Sequence, residues 1–98
     1  MIPIRVKTIV NNIVEECHRR FGDKVSLIWF GSWMKGNAYL QSDIDLAIEY
    51  HVELNKTEIV SFKNWIDDLP TLYSIDLVEI NKANQLLKAE IRRYGKKL

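Results

Sequence analysis

The chain has 98 residues, 47% hydrophobic and 28% charged, a balance that suits one folded domain, 1–98, with a modest core, and excludes a disordered chain. Lys and Arg number 14 against 13 Asp and Glu, a net charge of +1, so no overall field draws the protein to nucleic acid or to an anionic membrane surface. The apolar runs are too short to cross a bilayer, no signal-peptide pattern opens the chain, and Cys17 is the one cysteine, so no internal disulfide forms and a reducing cytoplasm is the expected location.

Ile9, Val10, Ile13, Val14, Cys17 and Phe21 recur in steps of three and four, which predicts an amphipathic helix from about Ile4 to Phe21. Pro3 suits its start and Gly22-Asp23 its end. Val25 to Phe30, "VSLIWF", is a short apolar run and predicts a strand buried on both faces. Gly31 stops it. "SWMKG" fits about one helical turn, with Ser32 at its N-terminus and Gly36 closing it, and residues 37–42 read as loop.

From Asp43 to Tyr50 the pattern has period two. Ile44, Leu46, Ile48 and Tyr50 take one face; Asp43, Asp45, Ala47 and Glu49 take the other, predicted to be open. Asn55 or Thr57 can cap a helix that runs to about Leu69, with Pro70 ending it. Leu72 to Ile80 is a third predicted strand, on which Asp76 interrupts an apolar face. Asn81 is predicted to cap a last helix carrying Ala83, Leu87, Ile91, Tyr94 and Leu98. The order helix, strand, strand, helix, strand, helix gives an α+β (α/β-like) domain: a small mixed β-sheet packed with helices.

Asp43, Asp45 and Asp76 are the candidate site. Three carboxylates on one face repel unless a cation neutralises them, and oxygen-only ligands select Mg²⁺, with Mn²⁺ as substitute. Gly31 permits a sharp turn and close backbone approach, Ser32 at a helix N-terminus suits an anion, and Lys35 adds positive charge. An anion cradle beside a carboxylate cluster is what nucleotidyl or phosphoryl transfer needs. The plain alternative is a set of solvated strand carboxylates paired with lysines, and a site that keeps the motif without turning over is a second.

Gly31-Ser32, a ten-residue interval, Asp43-Ile44-Asp45 and a later strand aspartate, with Gly36, Ala38 and "SDIDL" from Ser42 to Leu46, resemble the signature of the DNA polymerase beta-like nucleotidyltransferase superfamily. At this length the chain resembles a minimal nucleotidyltransferase, the MNT group. The resemblance implies the polymerase beta-like palm fold. It implies Asp43 and Asp45 as metal ligands, and Asp76 as the third ligand and general base. Gly31, Ser32 and Lys35 would hold the triphosphate of ATP. It also implies an antitoxin role, in which AMP passes to a tyrosine of a HEPN-domain toxin. A catalytically silent antitoxin and transfer to a small molecule such as an aminoglycoside are the alternatives. Many relatives carry Arg directly after Gly-Ser, where this chain has Trp33.

Trp29 is expected in the core. Trp33 and Met34 read as a hydrophobic lid, with a partner or base contact as the alternative. Glu49 lies too far along its strand for direct ligation. His18 and His51 fit no ligand spacing and read as surface. Lys88, Arg92, Arg93, Lys96 and Lys97 form a solvated basic end. The stripe Leu87, Ile91, Tyr94 is a candidate contact for a partner or for a homo-oligomer.

Overall fold

Helix α1 (Ile4–Phe21) turns Val6, Val10, Ile13, Cys17 and Phe21 inward, all of them buried at helical spacing. In the computed structural model, which describes residues 2–98, the Pro3 carbonyl opens this helix by accepting from the Val6 and Lys7 amides, each at 3.1 Å. Gly22, at φ 56°, ends it and leads through one 3-10 turn into β1 (Val25–Phe30). The single helical turn α2 (Ser32–Lys35) follows, closed by Gly36 in the left-handed region, then a loop and β2 (Ile44–Tyr50). Helix α3 (Lys56–Asp67) is capped by the Asn55 side chain, which accepts from the Thr57 amide at 2.9 Å. Strand β3 (Ile75–Glu79), a 3-10 turn at Ile80–Lys82, helix α4 (Gln85–Tyr94) and the two-residue strand β4 (Lys96–Lys97) complete the chain.

The strands form one mixed sheet in the order β3-β2-β1-β4. β1 runs antiparallel to both β2 and β4, whereas β2 and β3 are parallel, joined across α3 as a crossover requires. Helices α1 and α3 cover one face. There Leu27, Trp29, Ile44, Leu46, Ile48 and Leu77 meet Val6, Ile13, Phe21, Phe62 and Ile66 in the main core. Phe21 and Phe62 pack edge to face with centroids 5.5 Å apart. Among the described residues no helix is long and apolar enough to cross a membrane.

The face that carries the aspartates is not open along its length. Helix α4 packs on it, and Ile91 and Leu87 join Phe30, Ala47, Ile80, Ile28 and Val78 in a second, smaller core. The stripe Leu87–Ile91 is thus spent on the sheet rather than left for a partner; Tyr94 stays exposed. Two further expectations need correction. The last helix is capped by Asn84, whose side chain accepts from the Leu87 amide at 2.8 Å, and not by Asn81. Asn81 instead brackets the Tyr50 backbone, accepting from its amide at 3.0 Å and donating to its carbonyl at 3.3 Å. Finally, α4 stops at Tyr94 because Gly95 sits against β1: a Cβ there would lie 2.6 Å from Ile28 Cγ2 and 2.3 Å from the Ile91 carbonyl oxygen. The chain then runs extended as the edge strand β4.

Candidate functional site

The site forms where β1 ends and β2 and β3 begin. Parallel pairing sets Asp45 directly beside Asp76, and antiparallel pairing sets Asp45 opposite Phe30, the last residue before Gly31. Strand spacing near 4.8 Å then brings the two carboxylates to one face. Asp43 lies two residues upstream of Asp45, just before β2. Asp43 and Asp76 are exposed and Asp45 is half-buried. Helix α4 packs on Phe30 and Ala47 and reaches this end through Glu90, while Asp43 and Asp76 stay open to solvent.

Burial pushes the Asp45 carboxyl up to about 6, and the negative charges of Asp76, Asp43 and Glu90 push the same way; Lys35 opposes them. Among the described residues no three His, Cys, Asp or Glu side chains are gathered closely enough to hold a metal ion. The three aspartates thus share one end of the sheet without forming a closed cage. Their chemistry fits a hard divalent cation: every donor is a carboxylate oxygen, and Asp45 bears a cost of burial and like charge that a cation relieves.

Gly31 owes its identity to Asp45. A Cβ on Gly31 would lie 2.1 Å from Asp45 Oδ2 and 2.9 Å from its Cγ, so the carboxylate occupies the space a side chain would need. The backbone there, φ 82° and ψ −158°, is also open only to glycine. The glycine and the second aspartate of the motif are therefore one packed unit, although 14 positions separate them in sequence. The Gly31 carbonyl accepts from the Met34 and Lys35 amides, which starts α2 and places the half-buried Ser32 at its first position.

Trp33 is not a lid. It is 7% exposed and belongs to the main core, with Met34 packed against the same cluster. Its indole Nε1 donates to the Ser42 carbonyl at 3.2 Å, and Ser42 in turn closes a turn with Tyr39. Trp33 thus ties the loop that delivers Asp43. Lys35 does not stand free over Ser32; its Nζ donates to Glu90 of α4 and lies 5.3 Å from the Tyr94 ring centroid. Glu90 is the site-adjacent group that sequence reasoning missed. Its only advance signal is that Glu90 and Tyr94 stand one helical turn apart. Glu49 pairs with Ser26 at the other end of β2, about 13 Å from Asp45 along the strand, outside the site. His51 is exposed and within 2.7 Å of Ser26 Oγ at that same far end, and His18 is exposed on α1.

A mixed sheet layered with helices, carrying a glycine-started turn packed on the first of two paired strand aspartates, defines a nucleotidyltransferase-type domain. The family described as "Polymerase beta, Nucleotidyltransferase" matches residues 11–98, and the chain belongs to it. A search of curated proteins finds no significant match. Among solved structures, a protein assigned to the minimal nucleotidyltransferases superposes with a TM-score of 0.70 at 21% identity, over 96% of this chain and 93% of the other. The complex of a tri-AMPylated Shewanella oneidensis HEPN toxin with its MNT antitoxin gives 0.66 at 20% identity, over 93% of this chain and 69% of the other. A toxin–antitoxin crystal structure with AMP-PNP gives 0.64 at 24% identity, over 88% and 69%. At these identities the likeness is one of fold.

Proposed function

We propose that this domain is a Mg²⁺-dependent antitoxin that transfers AMP from ATP to a tyrosine hydroxyl of a HEPN-type toxin. The observation that carries the reading is the register of Asp45 beside Asp76 with Gly31 packed on Asp45, all at one end of the sheet. The fold likeness to an MNT antitoxin in complex with a tri-AMPylated HEPN toxin supports this choice of acceptor, and the likeness to a toxin–antitoxin structure with AMP-PNP supports this choice of nucleotide.

In this reading Asp43, Asp45 and Asp76 would hold Mg²⁺, with Mn²⁺ able to replace it. The bound ion would neutralise the crowded carboxylates and the charge of the polyphosphate. Gly31 lets the backbone come close, Ser32 offers a hydroxyl, and Lys35 contacts the triphosphate. Asp76, exposed at the mouth, accepts the proton of the tyrosine hydroxyl. The tyrosine oxygen then bonds to the α-phosphorus, the bond from that phosphorus to the α,β-bridging oxygen breaks, and pyrophosphate leaves. Incubation with labelled ATP, Mg²⁺ and the cognate partner should label the partner. Asp43→Asn with Asp45→Asn should abolish the label while the fold survives, and undiminished labelling by that double variant would show the site to be wrongly assigned.

A second reading, a catalytically silent antitoxin that acts by contact, draws on one observation. The residue after Gly-Ser is a core tryptophan, so the cation that many relatives carry there is absent. Under that reading the same double variant neutralises the toxin in cells as well as wild type does.

A further inference from the structure

Lys35 is held from one helix by two side chains. Its ammonium donates to Glu90 and lies over the Tyr94 ring, and these two residues, four apart on α4, present to the same side. The side chains of Lys35 and Glu90 are 30% and 36% exposed, so the pair adds little to stability and its placement calls for another explanation. It stands beside the site. Lys35 and Glu90 act with opposite sign on Asp45, and among the described residues Lys35 is the cation whose charge is felt there.

The consequence rests on the nucleotide-binding reading above. A polyphosphate arriving without a metal ion meets the carboxylates of Asp43, Asp45 and Asp76, and a lysine whose charge is already matched by Glu90. Like charges repel in a partly desolvated site far more than in water. We propose that Glu90 withholds Lys35 from metal-free polyphosphate and so makes nucleotide entry conditional on the divalent cation. Glu90 is then a specificity-determining residue that acts through Lys35. Once the aspartates have a counter-charge, Lys35 leaves Glu90 for the phosphate oxygens, and Tyr94 keeps the alkyl stem in place.

The test is equilibrium binding of a non-hydrolysable ATP analogue to the full chain, in EDTA and in Mg²⁺. Glu90→Gln should bind the metal-free analogue about five- to tenfold tighter than wild type, the scale of one unit charge at a partly screened site. Its affinity in Mg²⁺ should stay within about twofold and its melting temperature should hold. Glu90→Asp, which keeps the carboxylate, should behave as wild type. In a Lys35→Met background Glu90→Gln should change metal-free affinity by less than about twofold, because the coupling runs through the lysine. Metal-free binding that is unchanged, undetectable or weakened in Glu90→Gln overturns the proposal, as does an equal gain in the Lys35→Met background. Wild-type binding in Mg²⁺ with no gain in Glu90→Gln sinks this inference alone. No binding by wild type in either buffer sinks the nucleotide reading with it.

Discussion

Asp45 is ionised at neutral pH against the pull of its surroundings, and that has a thermodynamic signature. Burial first, then Asp76, Asp43 and Glu90, raise its carboxyl from 3.8 to about 6. A group whose folded-state value is raised contributes stability that is complete below about pH 3.8 and is lost as pH climbs through 6. Without divalent ions, Asp45→Asn should therefore melt higher than wild type at pH 7.5 and level with it near pH 4. After discounting for the partial exposure of Asp45, the gain should be about 1 kcal/mol, which is several degrees for a domain of this size. Thermal melts at the two pH values check it; an Asn variant less stable than wild type at pH 7.5 would refute it. If the proposed function holds, the same substitution should also abolish AMP transfer, since a site that crowds carboxylates for chemistry does so at the expense of stability.

At the scale of elements, the ten-residue interval between the Gly-Ser pair and Asp43 is a tether with its own anchor. Trp33 enters the main core and bonds the Ser42 carbonyl one residue before Asp43. Trp33→Arg, which would put a cation directly after Gly-Ser, should therefore not improve the site. It would set a guanidinium where an indole only 7% exposed now sits in the main core, at a cost of about 3 kcal/mol or more. Trp33→Phe should keep most of the packing. Urea denaturation of both separates the two outcomes, and an Arg variant as stable as the Phe variant would mean that this side chain turns out to solvent. Spacing made the Gly-Ser turn, the two aspartates and Asp76 legible in the sequence, because a motif and a period-two strand fix them locally. Burial of Trp33 was not legible, since an aromatic after a glycine reads the same whether it turns in or out. Asn81, the expected cap of α4, was likewise not decidable from sequence, because Asn84 offers the same side chain three residues on. Tertiary structure settled it, as Ile80 is drawn into the second core and Asn81 is taken by the Tyr50 backbone.

Across the whole molecule, the sheet divides two cores of unequal size, and that division also explains what the sequence left hidden. The larger core was readable because α1, α3 and β2 repeat their apolar residues at clear periods. The smaller one draws single residues from β1, β2, the turn after β3 and α4, and β4 is two lysines with no strand pattern at all. Such a layer depends on Ile91, 1% exposed, meeting Phe30, Ala47 and Ile80. Elements with few buried contacts open at a lower free energy than the global transition. Amides of α4 should exchange through a sub-global opening, while those of central β2, where Leu46, Ala47 and Ile48 are fully buried, should exchange only on global unfolding. Ile91→Ala should lower α4 protection by about 2–4 kcal/mol. If α4 opens separately, β2 protection should fall by less, because the main core still closes around it. Native-state hydrogen exchange across a denaturant series measures both. Equal losses in α4 and β2 would make the two cores one cooperative unit. Unequal losses would mean that the helix holding Glu90 and Tyr94 beside Lys35 can lift from the sheet while the aspartates of β2 stay in register.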